Sequence, residues 1–124
     1  MAKYLFILNG PAYGTETSSN GLRMAESVSR HAGIVSRSID NEVRVFLIGD
    51  AVACAKKGQA VPHGHCNLEK QLHSILKHQG QVGVCGYSMD IRGLADADIV
   101  EGCHRSSMDE LSVLTDWSDK ILVF

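Results

Sequence analysis

Basic clusters are what this chain most conspicuously lacks. Its 12 Lys and Arg are set against 14 Asp and Glu, for a formal net charge of −2, and nowhere do they gather into a block. A duplex-binding surface needs clustered cations, so direct nucleic-acid binding is not expected. Aromatics are scarce too, with three Phe, three Tyr and one Trp. No apolar run approaches the roughly 18 residues of a membrane span. Met1 is followed by Ala-Lys and a short apolar run, too short for a signal peptide of the usual plan. There is no internal repeat, low-complexity segment or linker. What is present is 124 residues that are 44% hydrophobic and 21% charged, which suits one soluble domain with a real core. The four cysteines, Cys54, Cys66, Cys85 and Cys103, could make two disulfides. With a core of this size and no signal, reduced thiols in the cytoplasm are the expectation.

Strand and helix patterns alternate along the chain. The run KYLFILN (3–9) is continuously apolar with polar ends, as in a strand covered on both faces. GPAYGTETSSN (10–20) is a turn-rich loop, and a helix starts near Ser18 or Ser19 as N-cap. Gly33 could end that helix, leaving IVSRSIDN as a frayed extension or a loop. EVRVFLIGD (42–50) is a second strand, followed by a short helix from Ala51 to Lys57. Asn67 caps a helix from Leu68 to about His78, and QVGVCG (81–86) is a third strand. Asp96 to Cys103 reads as a helix. Ser107-Met108-Asp109-Glu110 fits a capping box opening another, to about Trp117, before a final strand KILVF (120–124).

This order predicts an α/β fold: three α/β/α layers around a mainly parallel sheet of four to five strands, in one domain spanning 1–124. Such sheets place ligands beyond the carboxyl ends of their strands. Three segments reach that edge: the loop after Leu8, the Gly49-Asp50 turn, and a loop beginning at Cys85. They make Asn9, Tyr13, Asp50, Ser88, Asp90 and Arg92 candidate binding residues around Cys85. A thiol at a strand's end, near helix amides and Arg92, favours the nucleophilic thiolate. The competing reading is a small buried core residue, a common fate of free cysteine. Asp50 and Asp90 are either paired carboxylates across the edge or helix caps. HGHC (63–66) offers two histidines and a thiol, but no second ligand pair at zinc-finger spacing, so no metal site is expected. NGPAYG (9–14) follows a strand as phosphate loops do, yet lacks the glycine and Gly-Lys-Ser/Thr patterns of nucleotide sites.

The blocks LFILNGPAYGTETSSNGLRMAESV, VRVFLIGDAVACAKKGQAVP, NLEKQL, VCGYSMDIRGL and VEGCHRSSMDEL…WSDKILVF resemble the DsrE/DsrF/TusD-type sulfur-relay family, in its small stand-alone DsrE-like branch. Residues 32 to 41 look like an insertion. The resemblance implies a DsrEFH-like domain assembling into homotrimers or homohexamers. It implies a persulfide held on one cysteine and passed between sulfur donor and acceptor proteins, without metal or organic cofactor. Cys85, ahead of Arg92-Gly93, matches that cysteine. The branch often has a second cysteine three residues on, where this chain has Ser88. That closes the route to an internal disulfide and leaves single-thiol chemistry, a persulfide or a mixed disulfide. The alternative is a non-catalytic oligomeric module that binds a partner or small ligand, with Cys85 as packing.

Overall fold

The computed structural model of the chain describes residues 2–35 and 41–124, with residues 31–35 followed as backbone only. The segment 36–40, and with it half of the expected insertion at 32–41, lies outside the described residues. The strands are β1 (Lys3–Leu8), β2 (Glu42–Leu47), β3 (Gln81–Cys85), β4 (Cys103–Ser106) and β5 (Lys120–Val123). The helices are α1 (Thr17–Val35), α2 (Leu68–Lys77), α3 (Gly86–Ile91) and α4 (Met108–Trp117). Short 3₁₀ turns span Gly49–Ala55 and Asp96–Asp98. The five strands form one sheet in the order β4-β3-β2-β1-β5, and every pairing is parallel.

The order explains the layers. From β1 to β4 the chain steps steadily one way, and right-handed crossovers keep successive helices on one face. The connection from β4 returns past β1 to β5, so α4 falls on the other face. The side chains agree. Gly21 of α1 lies against Leu8 and Phe124, where an added Cβ would approach to 3.1 and 3.0 Å. Trp117 of α4 sits under Arg44 at 4.7 Å and Lys3 at 5.7 Å. Alternation along each strand therefore turns Tyr4, Phe6 and Leu8 to α1, and Lys3, Leu5 and Ile7 to α4.

Two expected caps are in place. Asn67 accepts from the Lys70 amide at 3.2 Å, and Ser107 accepts from the Glu110 amide at 3.1 Å. Glu110 does not complete a capping box, because its carboxylate is bonded to His104 at 2.5 Å. α1 begins at Thr17, so Ser18 is inside the helix and donates its hydroxyl to the Gly10 carbonyl at 2.7 Å.

Two elements differ from expectation. Residues 96–103 do not form a helix. One 3₁₀ turn gives way to Ile99 and Val100, both buried, where Ile99 bridges Lys56 and the Val100 amide donates to Ala55. Adjacent apolar residues suit such an extended tie, since a helix face needs them three or four apart. The segment after Cys85 is not a loop but α3, which buries Ser88 and Met89.

Phe6 anchors the covered face. It is fully buried and stacks between Tyr4 and Phe124, with centroids 6.1 and 6.3 Å away. Phe6→Ala is expected to lower unfolding stability by about 3–5 kcal/mol, read as an earlier urea midpoint with unchanged slope.

Candidate functional site

β3 lies between β2 and β4, and Cys85 is its last residue. Gly86 follows at once as the first residue of α3. A Cβ on Gly86 would lie 2.8 Å from Nη1 and 3.1 Å from Cγ of Arg105, so only glycine lets Arg105 cross the turn. Cys85 is 4% exposed and counts among the core. The third loop of the sheet's carboxyl edge is thus a tight strand-to-helix bend with the thiol at its apex.

Two clamps hold this bend. On one side the Gly49 amide donates to Ser88 Oγ at 2.9 Å. Beside it, Arg92 Nη2 and Nε donate to Asp50 Oδ1 at 2.8 and 3.3 Å, and Arg92 Nη1 donates to the Ser88 carbonyl at 3.1 Å. Gly49 stands at φ 62, a left-handed conformation that turns the chain out of β2 and aims its amide at α3. On the other side Arg105 of β4 donates to Asp96 at 2.6 Å, to Asp90 at 3.1 Å and to the Gly86 carbonyl at 3.1 Å. Asp50 and Asp90 therefore neither pair with each other nor cap helices. Each takes a different arginine.

The structure brings together Cys85, Ser88, Asp50 and Arg92, and joins Asp90 to them through Arg105. Asn9 and Tyr13 stand apart. Asn9 binds the Phe124 carbonyl through its backbone amide at 3.0 Å and through Nδ2 at 3.5 Å. Tyr13 donates to Gln59 at 2.5 Å and accepts from the Leu68 amide at 3.2 Å. Its ring lines a separate cleft of about 450 Å³ with Glu16, Val61, His65 and Cys66. Among the described residues no group of three or more His, Cys, Asp or Glu is placed to hold a metal ion. Arg105 and Ser106 belong to the bend and were missed in the sequence. The four-residue strand CHRS that carries them has one buried residue, Ser106, and no apolar alternation to betray it.

The four thiols, all free, divide by environment. Burial raises Cys54 from 9.0 to about 11 and Cys103 to about 12. Cys66 is exposed on the Tyr13 cleft. It, rather than Cys85, is the most accessible thiol of the folded chain.

A parallel α/β domain with a lone thiol at the carboxyl edge of a central strand defines a class. The chain belongs to the DsrE/DsrF-like family, whose profile matches residues 2–124. Protein YchN of Escherichia coli (strain K12) is 28% identical over 124 residues, covering 100% of both chains. An uncharacterized protein, MJ0989, of Methanocaldococcus jannaschii is 30% identical over 122 residues, covering 98% of this chain and 99% of that one. The crystal structure of the E. coli ychN protein superposes with a TM-score of 0.88 over the whole of both chains. The fold of MTH1491 from Methanobacterium thermoautotrophicum is similar at a TM-score of 0.68 and 14% identity, over 98% of this chain and 99% of that one.

The thiol environments fix an order of reaction. In the native protein exposed Cys66 is expected to alkylate first, with buried Cys54 and half-buried Cys103 slowed by their raised pKa values until the chain unfolds. An unfolded chain ionises the latter two near 9.0, whereas the fold keeps them protonated to about 11 and 12. The stability tied to them is complete below pH 9.0 and is lost as pH rises through those folded values. Timed labelling with peptide mapping checks the order, and denaturation curves on either side of pH 9 check the loss. Early native labelling of Cys54 or Cys103 would refute the assignment.

Proposed function

We propose that the protein carries sulfur as a persulfide on Cys85 and passes it to a partner protein. The observation that supports this most is the position of Cys85, at the carboxyl end of a central strand and braced by two clamps. The Cys85 thiolate attacks the outer sulfur of a donor persulfide. A sulfur–sulfur bond forms to Cys85, the donor's own breaks, and the donor cysteine leaves as thiolate. An acceptor nucleophile then takes the outer sulfur, and Cys85 departs as thiolate in turn. One sulfur atom moves in each step, no external oxidant or reductant is consumed, and no cofactor is needed.

Single-thiol chemistry fits the surroundings of Cys85. Position 88 is serine, and its oxygen is occupied by the Gly49 amide. Cys103 is three residues from Ser106, the strand partner of Cys85, so alternation turns its side chain to the opposite face. A persulfide on Cys85 therefore meets no resolving thiol from β4 or α3 and waits for an outside acceptor.

A second reading has its own support. The 450 Å³ cleft lies at Tyr13 and Cys66 rather than at Cys85, as in a module that binds a small ligand. Intact-mass spectrometry after exposure to a persulfide donor separates the two. In a Cys66→Ser background, which removes the exposed thiol, the carrier gains the mass of one sulfur atom, releases it to dithiothreitol, and does neither once Cys85→Ser is added. Sulfur gain that survives Cys85→Ser, or none in the wild type, would reject the carrier reading.

Assembly belongs to the same proposal. Large apolar side chains stay exposed on four elements: Met24 on α1, Tyr87 and Ile91 on α3, Met108 and Val113 on α4, and Ile121 and Val123 on the edge strand β5. Apolar surface of this kind, where contiguous, marks an interface. Light scattering is expected to return a trimer or hexamer of the 13.4 kDa chain at micromolar concentration, and a monomer mass would refute it.

A further inference from the structure

Ser106 is the one buried serine near Cys85 whose hydroxyl has no visible work. It is 8% exposed, and among the described residues its Oγ has no hydrogen-bond partner. Buried hydroxyls are ordinarily partnered, so one left over needs a reason. Its place in the sheet supplies one. Cys85 and Ser106 are direct partners across β3 and β4. Parallel partners in register present their side chains to the same face, and neighbouring strands lie about 4.8 Å apart. That face is the one α4 covers. An added Cβ on Gly83, two residues before Cys85, would come within 3.1 Å of the Ser106 Cβ, 3.3 Å of its Oγ and 3.4 Å of His104 Nε2, so the hydroxyl lies beside Gly83. Having no side chain, Gly83 instead opens on a void of about 20 Å³, lined also by Arg44, His104 and Glu110.

The other polar groups around Ser106 are engaged. His104 of β4 and Glu110 of α4 are bonded to each other at 2.5 Å. That bond is the first cause holding the Glu110 carboxyl below its ordinary value, with the nearby Ser106 hydroxyl a lesser one. The Ser106 and Glu110 oxygens nevertheless fall outside hydrogen-bonding geometry. Arg44 of β2 is stacked on Trp117. Beyond the bend, Arg92 is held by Asp50, and Arg105 by Asp90 and Asp96. No cation in this set is left over to face the sulfur.

We infer that the Ser106 hydroxyl is the hydrogen-bond donor that holds the anionic sulfur of Cys85, first as thiolate and then as persulfide. The inference rests on the carrier reading for its second state only. That role requires that a rotation about the Ser106 Cα–Cβ bond carry Oγ from its place beside Gly83 to a staggered position within reach of Cys85. A neutral thiol is a weak partner and leaves the hydroxyl idle, as observed. Ionisation creates the acceptor, and hydrogen bonds to a charged group are the strong ones.

The test compares Ser106→Thr with Ser106→Val, which have the same shape and differ in the hydroxyl alone. Cysteine labelled with carbon-13 at Cβ lets Cys85 be titrated by nuclear magnetic resonance, whatever its accessibility to reagents. Cys85→Ser assigns its signal. The expected result is a wild-type midpoint in the threonine variant and a midpoint raised by about one in the valine variant. A donor-loaded persulfide should also decay several-fold faster in the valine variant than in the threonine one. Any fold defect from β-branching would strike both alike, and Ser106→Ala then replaces the valine variant against wild type. Equal midpoints with and without the hydroxyl would overturn the inference. Should wild-type Cys85 take up no sulfur, the carrier reading falls, while the titration still decides whether Ser106 holds the thiolate.

Discussion

The hydrogen bond from the Gly49 amide to Ser88 Oγ is the constraint on which the thiol site depends. Gly49 leaves β2 with a left-handed turn, and its amide has no strand partner beyond that point. Ser88 supplies one from α3, and Arg92 braces the joint by bridging Asp50 and the Ser88 carbonyl. The end of β2 and α3 are thereby tied together, and Cys85 sits at the bend between β3 and α3. Oxygen accepts an amide proton well, whereas sulfur accepts it weakly. A cysteine at position 88 would weaken this joint in exchange for a second thiol. The serine is therefore better understood as structure than as a lost redox partner.

The two arginines near the bend do not supply a net positive field. Arg92 is matched by Asp50, and Arg105 by Asp90 and Asp96. Exposed pairs of this sort contribute little to stability. Their effect is geometric: one ties α3 to the turn after β2, the other ties it to β4 and to the turn at 96–98. An anion on Cys85 must then be stabilised by short-range donors, because the two arginines near it are outnumbered by three carboxylates.

The sequence made the frame legible where its signal was physical and local. Continuous apolar runs marked β1, β2 and β3, and Asn67 and Ser107 marked the starts of α2 and α4, because a strand buried on two faces and a capped helix each leave a residue pattern. Ile99 and Val100 misled because their partner, residues 55 and 56, is over forty positions away and leaves no local periodicity. β4 was invisible for a similar reason: CHRS is short and polar, and it is a strand because β3 offers it an edge. Around Cys85 the sequence brought forward the residues near it in the chain and those at neighbouring strand ends. Asp50, Ser88, Asp90 and Arg92 do gather at the bend. Asn9 and Tyr13 share the same sheet edge but are committed elsewhere, to Phe124 and to the start of α2. Arg105 and Ser106 could be found only through strand pairing.

The burial of Cys85 bears on which thiol chemistry suits it. At 4% exposure the Cys85 sulfur is loaded only if the donor brings its outer sulfur into the bend, because the thiolate itself makes the first attack. A persulfide is different, because its reactive atom is the outer one, about 2 Å further from the chain than the sulfur that carries it. Exposed Cys66 has access without shielding. Buried Cys54 and half-buried Cys103 carry raised pKa values that keep them protonated. Of the four, Cys85 alone is the last residue of a strand, fixed where β3 turns directly into α3.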